Sequence, residues 1–225
     1  MRIHLARDLE KLKLGILEMG AMVEEAIKMA IDAMVNRRVD IAEIVIDGDD
    51  IIDAKELDIE DACLKVLALH QPVAIDLRYV ISILKSNNNL EQMGDLAGHV
   101  AKRALFLASQ PPIGLPAKFD EMVERVKAMV GKSLDSLIRQ DAELAQETVM
   151  MDDRVDELHW EMYYELLGRM REEPDIINRA YHTISAVRQI ERIADLATNI
   201  AEDVYFTVKG SVIRHQIEKG HTEDN

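Results

Sequence analysis

Glu191-Arg192-Ile193-Ala194-Asp195-Leu196-Ala197-Thr198-Asn199-Ile200-Ala201-Glu202 has a counterpart one hundred positions earlier, Glu91-Gln92-Met93-Gly94-Asp95-Leu96-Ala97-Gly98-His99-Val100-Ala101-Lys102. Glu91, Asp95, Leu96, Ala97 and Ala101 are matched by Glu191, Asp195, Leu196, Ala197 and Ala201, and His99 stands where the second copy has Asn199. Identities at fixed spacing imply that the chain is two copies of one unit. On an α-helix, residues four apart share a face about 6 Å apart along the axis, so each Glu-x-x-x-Asp aims two carboxylates the same way. His99 and Asn199 extend that line by a further turn. The surrounding residues are apolar and often small, Gly94 and Ala97 in one copy and Ala194 and Ala197 in the other, which lets a neighbouring helix approach closely. Carboxylates at the margin of such a seam are costly when unpaired and welcome cations.

The composition agrees with a helical reading. The chain has 225 residues, 48% hydrophobic and 31% charged, enough for one large domain or two modest ones with real cores. Aromatic residues are only 4%, and Gly and Pro are few, so an all-α protein is expected. The formal charge of −15 argues against a general nucleic-acid binder, which needs a basic surface to displace counterions from phosphates. Divalent cations and basic partner surfaces suit it better. Cys63 has no second cysteine to pair with, and its apolar helical setting points to a buried thiol and a reducing, cytoplasmic compartment. The N-terminal stretch Met1-Arg2-Ile3-His4-Leu5 lacks a signal-peptide core, and no stretch reaches the roughly 18 apolar residues of a membrane span. Any contact with a membrane is therefore expected through a partner.

Working outward from the repeat, Leu5, Leu9, Leu12, Ile16, Met19, Val23, Ile27, Ala30 and Met34 form a helical stripe from about residue 3 to Asn36. Asp40 is a candidate N-cap for a second helix carrying Ile41, Ile44, Val45, Ile52, Ile59, Cys63 and Leu67, which Gln71-Pro72 interrupts. Pro72 suits the first turn of a third helix running to Ala108. The segment Ser109–Pro116 is the only Pro/Gly-rich punctuation in the interior. Beyond it the plan recurs: a fourth helix through Met122, Val126, Met129 and Leu137, a fifth capped by Asp141 and reaching Glu173, and a sixth from about Asp175 to Val208, stopped by Gly210. The expected architecture is a tandem repeat of two three-helix bundles, 1–110 and 116–210, with a polar tail, 211–225, that frays.

With 42 acidic residues in 225, chance alone supplies about eight acidic pairs at i, i+4, so one such pair means little. Position in the repeat raises the odds. Asp49 and Asp53 open the second helix's acidic stretch, and Asp152 and Asp156 do the same in the fifth. Asp49 lies 23 residues before Pro72 and Glu91 lies 19 after it, so in an antiparallel hairpin the two stand at similar heights. Each half then gathers four carboxylates. Other constellations are weaker. The Asp47-Gly48-Asp49-Asp50 run lacks the spacing of a calcium loop. The Glu-x-x-His of di-iron bundles occurs only as Glu218 to His221, with Asp156 to His159 as the nearest variant. No phosphate-cradling Gly-rich loop or nucleophile elbow is present.

Gln71-Pro72-Val73-Ala74-Ile75-Asp76-Leu77-Arg78, followed by Leu90-Glu91-Gln92-Met93-Gly94-Asp95 and later Ile190-Glu191-Arg192-Ile193-Ala194-Asp195, resembles the PhoU family of phosphate-transport accessory and regulatory proteins over nearly the whole chain. The resemblance implies acidic motifs that bind divalent or transition metal ions such as iron, manganese or zinc, and this carries over to Asp49, Asp53, Glu91, Asp95, Asp152, Asp156, Glu191 and Asp195. Asn199 fits the family pattern. His99 departs from it and would give the first site a nitrogen ligand that leans toward transition metals. The resemblance further implies a non-enzymatic homodimer that restrains the phosphate-starvation response by contacting a membrane sensor kinase and the phosphate importer's ATPase subunit. Two other readings stand beside it: an accessory of a low-affinity phosphate transporter, and a metal-dependent phosphohydrolase.

Overall fold

In a computed structural model, residues 2–210 are described, and the expected fraying of 211–225 lies outside them. The helices are α1 (Arg2–Asn36), α2 (Val39–Asp47), α3 (Asp49–His70), α4 (Ala74–Ala108), α5 (Phe119–Arg139), α6 (Ala142–Val149), α7 (Asp152–Glu172) and α8 (Ile177–Lys209), with a 3-10 turn at Pro174–Ile176. No strand occurs among the described residues. Because α2 leads directly into α3 and α6 into α7, the chain forms six helical rods, three before the Ser109–Pro116 connection and three after it. This is the all-α tandem of three-helix bundles read from the periodicity.

Three local expectations need correction. The second helix is not one continuous rod: it breaks at Gly48, whose N–H reaches Ile44 O at 3.0 Å while its own carbonyl accepts from Ile51 N at 3.1 Å. Gly48 keeps helical dihedrals, φ −82° and ψ −8°, so its flexibility does not cause the break. The second half breaks at the same place, where Met150 and Met151 lie between α6 and α7, without any glycine. Both rods are thus interrupted at equivalent places, one with a glycine there and one without. Asp40 is not the cap of α2; Arg38 occupies that position, and its guanidinium holds the Asp40 carboxylate in the first turn at 2.6 and 2.9 Å. Pro72 lies ahead of α4 rather than in its first turn, because Val73 is extended, φ −126° and ψ 160°, as the N-cap.

Elsewhere the terminal signals act as read. Asp141 Oδ1 accepts from the backbone N–H groups of Glu143 and Leu144 at 3.0 and 3.1 Å, satisfying donors that a helix start leaves free. Gly210 ends α8 in the left-handed region, φ 72°, where a residue without Cβ carries no steric penalty. Pro174 opens the 3-10 turn into α8.

Most buried residues of both halves, apart from a small second cluster of Leu166, Ile176 and Ala180, merge into one apolar cluster. Its seam is the antiparallel pair α4 and α8, where Lys85 meets Asp203 at 2.7 Å and Arg103 Nε meets Ser185 Oγ at 3.1 Å. That register sets Gly94 opposite Ala194, repeat-equivalent positions, so the two halves meet about an approximate two-fold. Burying a side chain the size of Met93, Met122 or Leu166, all at 0% exposure, contributes about 1.5–3 kcal/mol each. The connection is tied down from both halves: Arg37 donates to the carbonyls of Ala108 and Gln110, Arg169 to that of Ile113, and Arg179 to that of Pro111. Cys63 is fully buried, and burial pushes its thiol up to about 12, which makes it inert packing.

Candidate metal centre

The breaks before α3 and α7 have a consequence for charge. They make Asp49 and Asp152 the first residues of their helices, where unpaired N–H groups and the helix dipole favour a carboxylate. Asp53 and Asp156 follow one turn later on the same face. Across each hairpin, Glu91 and Asp95 on α4, and Glu191 and Asp195 on α8, project beside buried Leu90, Met93 and Ala97, or Ile190, Ile193 and Ala197.

In the second half, one oxygen each of Asp156, Glu191 and Asp195 lie within 4.8 Å of one another, close enough to share an ion. Asp152 lies outside that triad but within electrostatic reach of Asp156 and Asp195. Burial first, then Asp156 and Asp195, push its carboxyl up to about 6, and burial with Asp195 and Asp156 pushes Glu191 up to about 7. Burial also raises Asp156 and Asp195. Like charges gathered out of water disfavour one another's ionisation. Asp152 Oδ1 and Thr198 Oγ1 are buried without a hydrogen-bond partner, although the hydroxyl lies close enough to favour the ionised Asp152. Orphaned oxygens beside mutually repelling carboxylates fit a hard or borderline divalent cation, which would satisfy both needs at once.

The first half has the same plan with different detail. Burial, then Asp95 and Asp53, raise Asp49, with Lys102 opposing; burial, then Asp95, Asp53, Glu56 and Asp49, raise Glu91. Asp49, Asp53, Glu91 and Asp95 thus act on one another electrostatically, but among the described residues only Asp156, Glu191 and Asp195 bring oxygens within 4.8 Å. Glu56 joins them, fixed by Asn87 Nδ2, which donates to its backbone carbonyl at 2.9 Å and to its Oε1 at 3.0 Å. Gly98 leaves room beside Asp49, since a Cβ there would come no nearer than 3.9 Å to Asp49 Oδ2. Its counterpart Thr198 fills the equivalent place by Asp152.

The two positions that extend the motif by a turn lie elsewhere. His99 is exposed on α4, and it is not among the groups acting on Asp49 or Glu91. Asn199 lines a different recess, about 470 Å³, between α4 and α8 with Lys85, Asn88, Asn89 and Asp203. The imidazole near an acidic cluster is instead His159, on α7. It lines a recess of about 360 Å³ with Asp156, Trp160, Arg188, Glu191, Arg192 and Asp195, and burial, then Arg188, lower its pKa so that the neutral ring is favoured. Glu56 and His159 occupy repeat-equivalent places, three residues after Asp53 and Asp156. That spacing was visible, but helical periodicity does not say whether i+3 or i+4 carries a face onward.

A sequence model of the PhoU domain matches residues 16–104 and again 119–204, one match on each side of the Ser109–Pro116 connection. A phosphate-specific transport system accessory protein PhoU homolog of Aquifex aeolicus is 42% identical over 214 residues, spanning 95% of this chain and 97% of its own. The homolog so named in Deinococcus radiodurans is 37% identical over 94% of this chain and 99% of its own. The crystal structure of PhoU from Pseudomonas aeruginosa superposes with a TM-score of 0.86 at 36% identity, covering 92% of this chain and 99% of that one. The phosphate transport system regulatory protein PhoU from Streptococcus pneumoniae gives the same TM-score at 27% identity, covering 93% and 99%. With both repeats matched and the whole fold superposed on solved relatives, the chain belongs to the PhoU family.

Proposed function

We propose that this protein is an accessory of phosphate uptake that restrains the phosphate-starvation response, contacting the importer's ATPase subunit and a membrane sensor kinase, with metal ions held in its acidic clusters. The observation that carries the accessory role is full-length likeness: 42% identity across 97% of a relative named as a phosphate-specific transport system accessory protein. No helix among the described residues is long and apolar enough to cross a membrane, so action on a membrane-bound importer proceeds through protein contacts. The charge of −15 favours basic partner surfaces and steers their approach. Leu57 and Leu64, two turns apart on α3 and 61% and 52% exposed, offer apolar contact area to a second copy or to a partner subunit.

Metal ions have a definite structural part in this reading. In the second half Asp152, Asp156, Glu191 and Asp195 hold the cation, and in the first Asp49, Asp53, Glu91 and Asp95. Each set spans two helices of one hairpin, so an ion replaces repulsion between those helices with attraction and stiffens the face that a partner meets. The deciding experiment removes the gene and follows a phosphate-starvation reporter in phosphate-replete medium, alongside a pull-down from the same cells. The reporter is expected to stay on without the protein, and importer and kinase subunits to be captured with it. A reporter that remains silent would refute the regulatory role. Turnover of phosphate esters by metal-loaded protein would move the reading to a hydrolase.

A further inference from the structure

The two acidic centres are built on one plan, yet their surrounding charges differ. The first gathers Asp49, Asp53, Glu56, Glu91 and Asp95 with Lys102 as the opposing cation. The second has Asp152, Asp156, Glu191 and Asp195, with His159 in the place of Glu56, and two cations, Arg188 and Arg192, on its rim. Formal charge is therefore −4 around the first and −2 around the second, and Glu60 and Asp153 each add one more negative charge at the periphery. A single divalent ion leaves the first centre negative and brings the second to neutrality only when its rim arginines are counted.

The arginines act on the carboxylates through space, Arg188 opposing the upward shift of Glu191 and Arg192 that of Asp195, yet both guanidinium groups remain open to a ligand. Arg188 makes no hydrogen bond or ion pair with any described residue, and Arg192 reaches only Gln189 Oε1, at 3.5 Å. Neither closes a salt bridge to the acids beside it, although both line the same recess as Asp156, Glu191 and Asp195. They stand one turn apart on α8, so two guanidinium forks face one opening. The repeat-equivalent residues on α4 are Asn88 and Gln92, which carry no charge. Thr198, 7% exposed, sets a hydroxyl beside Asp152 where the first half has only Gly98.

We infer that the second centre, once it holds a metal ion, takes up orthophosphate, with Arg188 and Arg192 gripping the anion's oxygens while the first centre binds cations alone. This rests on the metal-binding reading above. A tetrahedral dianion matches planar guanidinium groups in paired hydrogen bonds and compensates a cation whose protein ligands leave positions free. The recess of about 360 Å³ admits such an ion beside Trp160 and His159. The chain would then report phosphate through one half only.

The test uses the full chain loaded with Mn2+, with metal content measured by elemental analysis and radiolabelled orthophosphate by equilibrium dialysis. One phosphate per chain is expected. Arg188→Gln with Arg192→Gln should weaken phosphate binding by about tenfold or more while Mn2+ is retained at least as tightly, because removing two positive charges favours the cation. Opposite effects on anion and cation are not what a folding defect produces. Asp53→Asn with Glu91→Gln, in the first half, should leave phosphate binding intact. Undiminished phosphate binding by the arginine variant, or its loss in the first-half variant, overturns the inference. Mn2+ bound without any phosphate overturns it alone, whereas wild-type protein that binds no Mn2+ overturns the metal reading itself.

Discussion

Glu191→Gln is expected to stabilise the metal-free protein near pH 8 and to leave it unchanged near pH 4. Burial and the neighbouring Asp195 and Asp156 carry this carboxyl from its ordinary 4.5 to about 7 in the fold. A raised acid pKa means that the folded state holds the proton more tightly than the unfolded chain, so the ionised side chain opposes folding. Below 4.5 the group is protonated in both states and no penalty exists; the penalty grows as pH rises and is complete above about 7. For a fully buried group that displacement corresponds to about 3 kcal/mol. Glu191 is half-exposed, solvent screens its neighbours, and ~1–2 kcal/mol is the expected gain. In a chain of this length that raises Tm by about 2–8 °C. Glutamine keeps the shape and removes the charge. Thermal unfolding by circular dichroism, with chelator present, at both pH values measures the difference. Adding Mn2+ should invert the order near pH 8, since the wild type gains binding free energy that the variant forfeits. A variant no more stable than wild type near pH 8 in chelator would refute the account of a cluster strained by its own charge.

Other substitutions probe other parts of the fold. His159→Asn should lower Mn2+ or Zn2+ retention, whereas His99→Asn, on an exposed face, should not, as elemental analysis after gel filtration would reveal. Asp141→Ala removes the acceptor for Glu143 N and Leu144 N and should cost about 0.5–2 kcal/mol in urea titrations. Gly94→Ala puts a Cβ 3.0 Å from Ile52 Cδ1 and 3.2 Å from its Cγ2. Crowding of about 1–3 kcal/mol then exceeds the helix propensity gained, and Ile52→Val in the same chain should recover part of the loss.

How much of this was legible without coordinates follows from the range of the interactions involved. Helical periodicity and cap residues are local, so the six rods, the Asp141 cap and the Gly210 stop could be read directly from the chain. The internal repeat fixed equivalent acids, and the hairpin prolines set their heights; Asp156, Glu191 and Asp195 come within 4.8 Å of one another, and the first-half acids are linked electrostatically. The breaks at Gly48 and at Met150-Met151 were not readable, because Gly48 keeps helical dihedrals and the second break has no glycine to mark it. Those breaks turn Asp49 and Asp152 into helix starts. His99, read as a nitrogen ligand from its place in the motif, is exposed on α4, and a second imidazole that the motif did not mark, His159, lies beside the second-half carboxylates. A residue's place along its own helix is a property of the sequence, but which face another helix covers depends on the rotation of both. That rotation is decided by burial across the α4–α8 and α7–α8 seams, and only the tertiary structure contains it.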